Sequence, residues 1–155
     1  MDKLQGAKYF IKLDVRWGYN NVRIKEGDKW KAAFKRNPGL FEPTVMFFGT
    51  TNSPATFQSM MDLTSNNRIE GKWVIIYMDD ILIFAKTQEE LKQHTKFVLQ
   101  QLHINDLYLK PKKCEFNKTK IEYLVMILEE GKLLMDPVKL NGIRDWPIPT
   151  TIKQV

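Results

Sequence analysis

The sequence predicts an α+β fold, with an antiparallel sheet and helices packed on one face. Short apolar stretches rich in β-branched and aromatic residues occur in closely spaced pairs, which is typical of hairpins. Other segments have the residue spacing and the start signals of helices. Because strands and helices alternate while strands also pair locally, the pattern favours a mixed antiparallel sheet with helices on one face.

The first third of the chain is predicted to be mostly extended. A strand over residues 9–15 ends near Gly18, and three further strands are expected at residues 22–25, 30–34 and 42–48. Turn-forming residues separate them, and Asn37-Pro38-Gly39 makes one of these turns. Residues 22–48 are therefore interpreted as a small antiparallel meander.

The middle of the chain is predicted to be a helix, a hairpin and a second helix. Ser53-Pro54 begins the first helix, since Ser is a good N-cap and Pro suits the first turn; fraying is expected at residues 65–67. Apolar runs at 73–77 and 81–85 indicate two buried strands. Thr87 has capping-box spacing to Glu90 and begins the clearest helix, which is expected to extend to about residue 105. Its apolar face is formed by Leu91, Thr95, Val98 and Leu102.

The last third is predicted to return to strands, at residues 107–109 and 121–128. A hairpin turn at residues 130–132 then leads to an apolar stretch at 133–135. Asp136-Pro137 begins a short helix, which ends before Trp146-Pro147.

The composition is that of a globular domain and narrows the function classes. With 155 residues, 43% of them hydrophobic and 27% charged, the chain is expected to form one domain and is not a disordered tail, a collagen-like fibre or a disulfide scaffold. Cys114 is the single cysteine, so a reducing intracellular setting is expected. No apolar run approaches the roughly 20 residues that span a bilayer, so no membrane partner is expected.

The net charge of +6 is unevenly distributed. Residues 1–52 carry ten Lys and Arg against five Asp and Glu, so most of the excess lies in the first third. A second cluster consists of Lys110, Lys112, Lys113, Lys118 and Lys120. One interpretation is a solvated lysine-rich surface, and the other is a track for phosphate groups.

Acidic residues interrupt or end the apolar strands at two places. Asp79-Asp80 lies between two strands that look buried, and Asp14 lies near the end of the first strand. A solvent-exposed turn would explain the pair, and a strand cap would explain Asp14. The three acids together instead indicate a site for divalent metal ions, because hard divalent cations prefer carboxylate oxygen and two such ions support phosphoryl transfer.

Five sequence blocks occur in an order that resembles the palm region of reverse transcriptases from gypsy-like long-terminal-repeat retrotransposons. The blocks are KLDVRWGY at 12–19, WKAAF at 30–34, FGTTNSPATFQ at 48–58, YMDDILIF at 77–84 and KCEF at 113–116. The resemblance implies a polymerase palm fold with a partial fingers meander. It also implies RNA-directed DNA synthesis, in which a primer 3′-hydroxyl attacks a dNTP.

The same resemblance implies the residues of the catalytic site. Asp14 and Asp79 match the two main metal ligands, Asp80 the third acid, and the Val15 carbonyl a further ligand. The implied cofactor is a pair of Mg²⁺ ions, for which Mn²⁺ can substitute. Lys113 matches the lysine that protonates the leaving pyrophosphate, although it could instead be one lysine of a basic loop.

The resemblance further implies a nucleotide-binding set. Trp17 and Gly18 would offer backbone N–H groups to the triphosphate. Tyr19 would pack under the sugar and exclude a 2′-hydroxyl, the alternative being an ordinary half-buried tyrosine. Phe48 and Gly49 would line the nucleotide pocket.

A template and primer set is implied as well. It consists of Gln58, Tyr77, Met78, Leu124 and Val125. Gln58 could instead be an exposed helix glutamine. Val125 stands where a Gly is usual in the primer-gripping hairpin, and Thr50 stands where Leu is usual; a β-branched residue at position 125 could shift that hairpin.

By this resemblance, residues 1–155 form a truncated reverse transcriptase domain. Residues 20–50 would be a remaining part of the fingers, residues 53–128 the palm core, and residues 129–155 the primer-grip hairpin with the start of the connection. The implied partners are an RNA or DNA template with its primer, a dNTP, and the rest of a polyprotein with fingers, connection and ribonuclease H. The alternatives are a catalytically incompetent remnant that binds nucleic acid weakly, and an interaction module whose acids only form turns.

Overall fold

The computed structural model describes residues 4–64, 72–129, 132–135 and 137–146 and confirms the α+β class. The strands are β1 (Tyr9–Asp14), β2 (Phe34–Arg36), β3 (Gly39–Phe41), β4 (Val74–Tyr77), β5 (Asp80–Ala85), β6 (Glu115–Lys118), β7 (Lys120–Tyr123), β8 (Met126–Glu129) and β9 (Lys132–Met135). The helices are α1 (Ser53–Thr64), α2 (Gln88–Ile104) and α3 (Pro137–Arg144). Short 3-10 turns occupy Gly18–Asn21, Lys29–Ala32 and Pro111–Lys113.

The central sheet has four antiparallel strands in the order β4-β5-β1-β6. The predicted hairpin of two buried strands is confirmed, since β4 pairs with β5 and a two-residue turn joins them. β1 lies between β5 and β6, so the first strand of the chain becomes an inner strand of the sheet. This position brings the end of β1 beside the start of β5.

Helices α1 and α2 cover one face of the central sheet, as predicted. Phe57 and Met61 of α1 and Leu102 of α2 are buried against Leu13 and Ile81 of the sheet. The helix face of α2 predicted from its spacing is buried at all four positions. Thr87 and Glu90 form the expected capping box, with the Glu90 N–H donating to Thr87 Oγ1 at 3.2 Å.

A second sheet, of order β7-β8-β9, covers the opposite face of the central sheet. Phe10, Leu82 and Phe84 are buried there among apolar side chains of β7 and β8. Successive side chains of a strand point to opposite faces, and β1 and β5 both carry buried apolar side chains on each face, with Phe10, Leu82 and Phe84 on the side away from the helices. Both faces of these strands therefore need a covering layer, and helices supply only one of them.

The strand boundaries predicted in the first third are partly wrong. Residues 22–25 and 42–48 are not regular strands, and Arg23 and Val45 form an isolated antiparallel bridge between them. Residues 29–32 form a 3-10 turn, in which Lys29 and Lys31 make ion pairs of 2.8 and 2.7 Å with acids three residues earlier. The strand pairing is limited to the hairpin of β2 and β3, because charged side chains three apart favour the turn locally.

Two further strand predictions need correction. In the 107–109 segment only Leu109 forms a bridge, with Val15. The stretch predicted as one strand over 121–128 is two strands, β7 and β8, separated by a turn at Leu124-Val125. The apolar character of the segment hid this turn, since neither residue is a usual turn former.

Some sequence predictions lie outside the described residues. These are the fraying at 65–67 and the turn residues Glu130-Gly131, although β8 and β9 pair antiparallel across that turn. The last helix ends at Arg144, before Trp146, as expected. Within the described ranges, no helix combines the length and the apolar character that crossing a membrane requires.

Candidate active site

The pairing of β1 with β5 brings the three acids together. Asp14 and Asp80 are directly opposite in the antiparallel register, and Asp79 precedes Asp80 in the turn. The Val15 N–H donates to the Asp79 carbonyl at 2.8 Å and closes the end of the ladder. Asp14 is only 6% exposed, whereas Asp80 is half-buried and the side chain of Asp79, in the turn, is 41% exposed.

A glutamine on α1 holds the turn that carries Asp79. Met78 adopts a left-handed conformation with φ of 54°, and its N–H donates to Gln58 Oε1 at 2.8 Å. The Gln58 Nε2 donates to Asp62 Oδ1 at 2.6 Å and to the Ile76 carbonyl at 3.4 Å. The Gln58 amide is therefore engaged with the turn, a role that neither sequence interpretation of this residue included.

Two lysines contact the carboxylate of Asp14. Lys110 Nζ lies 2.7 Å from Asp14 Oδ1 and 3.8 Å from Asp79 Oδ2, and Lys113 Nζ lies 3.4 Å from Asp14 Oδ2. The structure thus places Lys113 at the acids, as the motif implied. Lys110 was visible in the sequence only as a member of the lysine cluster. Its position follows from the Lys110 N–H, which donates to the Asp14 carbonyl at 2.9 Å.

Burial and the neighbouring charges raise the pKa values of two groups of the site, Asp80 and Lys110. Burial raises the pKa of Asp80 above its ordinary value, and the neighbouring Asp79 and Asp14 raise it further, against the opposing effect of Lys12 and Lys113. The hydrogen bond with Asp14 raises the pKa of Lys110, so its ammonium form is favoured. The site is a cluster of carboxylates partly neutralised by lysine.

The donor chemistry of this cluster fits a hard divalent cation. The cluster offers carboxylate oxygen atoms, the type of ligand that Mg²⁺ prefers. Across the described part of the chain, no three or more His, Cys, Asp or Glu side chains are gathered closely enough to hold a metal ion as they stand. The acids are adjacent in the backbone register, while the ammonium of Lys110 contacts two of them.

The segment after β1 forms a tight loop, and this loop contains the residues predicted to contact the triphosphate. Trp17 and Gly18 both have left-handed backbones, with φ of 70° and 46°. Asn21 Nδ2 donates to the carbonyls of Arg16 at 2.8 Å and Gly18 at 3.0 Å, which fixes the loop from inside. Asn21 was missed in the sequence, although asparagine is a common turn residue because its side chain hydrogen-bonds to nearby backbone groups.

Aromatic side chains join this loop to the helical layer. The Tyr19 ring meets that of Phe48 edge-on, with centroids 4.9 Å apart, and that of Phe57 at 5.6 Å. Phe48 is 79% exposed, so one side of this cluster faces solvent. Gly49 follows with φ of 104°, a conformation that side-chain-bearing residues rarely adopt. Tyr19 and Phe48, which the motifs placed in one pocket, are in contact.

The β7–β8 turn is connected to the acids through Tyr123. The Tyr123 hydroxyl lies 3.2 Å from the carbonyl of Asp80 and 3.4 Å from that of Ile75. Burial raises the pKa of Tyr123, so the hydroxyl remains a donor. Leu124 and Val125 both have left-handed backbones, φ 47° and 74°, and for a β-branched valine this is a strained conformation. The predicted primer contacts Leu124 and Val125 therefore directly follow Tyr123, whose hydroxyl hydrogen-bonds to β5.

Tyr77, the remaining predicted primer contact, ends β4 with its side chain exposed. It pairs in register with Asp80 across the hairpin. An aromatic ring is thus presented to solvent beside the carboxylate cluster.

Comparisons with known proteins identify the family of the chain. A family model described as "Reverse transcriptase (RNA-dependent DNA polymerase)" matches residues 1–128. The Transposon Tf2-3 polyprotein of Schizosaccharomyces pombe (strain 972 / ATCC 24843) is 33% identical over 153 residues, and the Tf2-7 polyprotein is 32% identical. Each alignment covers 99% of this chain and 11% of the polyprotein, so the chain spans about a ninth of the length of these relatives.

Solved structures share the fold. A foamy viral protease-reverse transcriptase in complex with double-stranded DNA superposes with a TM-score of 0.83 at 22% identity, covering 95% of this chain and 25% of that one. The same viral protein with an RNA/DNA hybrid gives a TM-score of 0.79 at 22% identity, over 95% of this chain and 20% of that one. Since the family model covers most of the chain, the chain belongs to the reverse transcriptase (RNA-dependent DNA polymerase) family.

Proposed function

We propose that this chain is the catalytic palm of an RNA-directed DNA polymerase of a retrotransposon, which adds a dNTP to a primer 3′-hydroxyl. The observation that carries the proposal is the register of β1 and β5, which sets Asp14 opposite Asp80 with Asp79 beside them. Asp14 is buried and Asp80 half-buried, and carboxylates removed from water need cationic partners, of which Lys110 and Lys113 supply a part. This arrangement supports a role of the acids in binding cations rather than in turn formation alone.

Asp14, Asp79 and Asp80 would hold two Mg²⁺ or Mn²⁺ ions, with the Val15 carbonyl as a further ligand. When bound, such ions activate an attacking hydroxyl and stabilise the leaving oxygen of a phosphoryl transfer. The left-handed turn at Met78 and its hydrogen bond to Gln58 orient Asp79 for this task. Lys113 has a 64% exposed side chain next to Asp14, so it can move to protonate a leaving pyrophosphate.

The aromatic cluster would bind the incoming nucleotide. Tyr19 is held edge-on between Phe48 and Phe57, so its ring has little freedom and can act as a flat wall against the sugar. The N–H groups of Trp17 and Gly18 would donate to the triphosphate, and the hydrogen bonds of Asn21 that hold this loop support that role. This loop begins directly after the first catalytic strand, which keeps nucleotide and carboxylates close.

The proposed partners are an RNA or DNA template with its primer. The structural relatives are complexes with double-stranded DNA and with an RNA/DNA hybrid, and the sequence relatives are transposon polyproteins. The excess of basic residues in the first third of this chain supports binding of a polyanion. We propose that the chain acts inside the cell as part of such a polyprotein, with fingers, connection and ribonuclease H segments.

Primer extension on an RNA template with Mg²⁺ or Mn²⁺ tests the proposal. The Asp79→Asn variant is expected to lose at least about 100-fold in incorporation, since charge stabilisation by metal ions contributes several kcal/mol. Asp106→Asn is the matched control, because Asp106 is exposed and Asn tolerates its left-handed backbone. Equal incorporation by wild type and Asp79→Asn would refute the metal-ligand assignment.

A second candidate is a remnant that keeps the palm fold and binds nucleic acid weakly without synthesis. The strained valine at position 125 of the β7–β8 turn favours it. Primer-template binding that is equal in wild type and Asp79→Asn, with no extension by either, would support this candidate. Extension that appears when an upstream fingers segment is added would instead support the polymerase.

A further inference from the structure

We propose that Lys110 acts as an internal cation that competes with divalent metal ions for Asp14 and Asp79, and thereby sets the metal affinity of the site. The inference rests on the proposed function, because it takes these two acids as metal ligands. It goes beyond that function by assigning a role in metal binding to a residue that is not itself a ligand.

The contact geometry of the ammonium group is the first support. Lys110 Nζ lies 2.7 Å from Asp14 Oδ1, the distance of a charge-assisted hydrogen bond, and 3.8 Å from Asp79 Oδ2. It therefore bridges the two carboxylates that the motifs single out as the main ligands. Asp14 is almost completely buried, and a buried carboxylate needs a cationic or hydrogen-bonding partner.

The backbone of Lys110 is fixed from two sides, so its side chain starts from a defined point. Its N–H donates to the Asp14 carbonyl at 2.9 Å. Its carbonyl accepts from the Lys113 N–H at 2.9 Å and from the Cys114 thiol at 3.3 Å. A flexible surface lysine would lose more conformational freedom on forming the same ion pair, since its backbone would have to be ordered too.

Lys113, the other lysine at the site, differs in exposure. The side chain of Lys110 is 34% exposed and that of Lys113 is 64% exposed, at 3.4 Å from the second oxygen of Asp14. Lys113 can leave the carboxylate at little cost, whereas Lys110 is the better-shielded partner. A divalent ion entering between Asp14 and Asp79 must displace the Lys110 ammonium, because two cations cannot share the same oxygens without strong repulsion.

Binding of Mn²⁺ to the full chain, followed by the electron paramagnetic resonance signal of the free ion, tests this competition without an activity assay. We expect Lys110→Gln to lower the apparent Kd for Mn²⁺ about tenfold, since the ion no longer has to break a charge-assisted hydrogen bond. Lys110→Arg keeps the charge and should leave the Kd within about threefold of wild type. Lys112→Gln removes the same charge from the same turn, at an exposed position, and should change the Kd by less than about twofold.

The outcomes separate this inference from the proposed function. An unchanged or weaker affinity in Lys110→Gln, with binding still abolished by Asp79→Asn, would overturn the competition and leave the metal site intact. An equal gain in Lys112→Gln or Lys110→Arg would overturn it too. Mn²⁺ binding that does not depend on Asp79 in any variant would contradict the proposed function itself.

Thermal unfolding supplies a second readout. The melting temperature of Lys110→Gln should be lower than that of wild type in chelator, and Mn²⁺ should raise it more than it raises that of wild type. If Lys110→Gln does not fold, Lys110→Met keeps the apolar stem of the side chain and takes its place. An equal Mn²⁺-induced increase in wild type and variant would overturn the inference.

Discussion

The hydrogen bond between Gln58 and the Met78 N–H links α1 to the turn that carries Asp79, and its removal tests how the turn is held. Gln58→Met keeps the length of the side chain but removes both its acceptor and its donor. The Met78 N–H then loses its 2.8 Å partner, and the turn that carries Asp79 loses its link to α1. Met78 keeps a left-handed backbone in this turn, which is unfavourable for a residue with a side chain.

The magnitude follows from the burial of the turn. An N–H group left without a partner costs about 1–3 kcal/mol, and Met78 is half-buried, so we expect a loss of about 1–2 kcal/mol in the free energy of unfolding. For a chain of this size, each kcal/mol lowers the melting temperature by roughly 2–4 °C. The expected decrease is therefore about 2–8 °C. Primer extension should decline as well, because the orientation of Asp79 is no longer fixed.

Thermal unfolding and urea titration of the same samples measure the effect. Gln93→Met, on the exposed face of α2, is the matched control and should unfold like wild type. A melting temperature of Gln58→Met equal to that of the control would refute the role of the glutamine in holding the turn. Loss of stability with full retention of primer extension would refute its role in orienting Asp79.

Two further predictions concern the capping box of α2 and the ionisation of Asp80. Thr87→Ala should lower the free energy of unfolding by about 1 kcal/mol in urea titration, while Thr56→Ala, at an exposed helix position, should not; equal effects would contradict the cap. Burial raises the pKa of Asp80 above 3.8, so the folded state binds its proton more tightly than the unfolded state does, and ionisation destabilises the fold as pH rises above that value. Asp80→Asn should therefore be more stable than wild type at pH 7 in chelator, with a gain that shrinks as the pH falls toward 4. A gain that is constant or grows at low pH would contradict this sign.

Prediction of the fold succeeded where the signal is local. The capping box at Thr87, the helical spacing of α2 and the apolar strands on either side of Asp79 depend on residues close in sequence, and the structure confirms them. It failed at residues 30–34, where ion pairs three residues apart favour a 3-10 turn. It also missed the break at Leu124-Val125, where two apolar residues form the turn.

Prediction of the site depended on motifs rather than on contacts. The acids, Lys113, Tyr19 and Phe48 could be named because each lies in a block of recognisable sequence, and the structure brings them together in contacting groups. Lys110, Asn21 and Tyr123 could not be named in the same way. Their partners are a buried carboxylate, loop carbonyls and the Asp80 carbonyl, and two of these contacts join segments far apart in the chain.

The sequence by itself determined the family and the α+β class, because these depend on residue types and on their order along the chain. Only the tertiary structure decided which cation meets which carboxylate and which side chains hold the turn. β1 and β5 are more than 60 residues apart, and their register places Asp14 opposite Asp80 and brings Lys110 against both segments. Such contacts arise from the pairing of distant strands and the packing of α1 beneath their turn, and no local pattern encodes them.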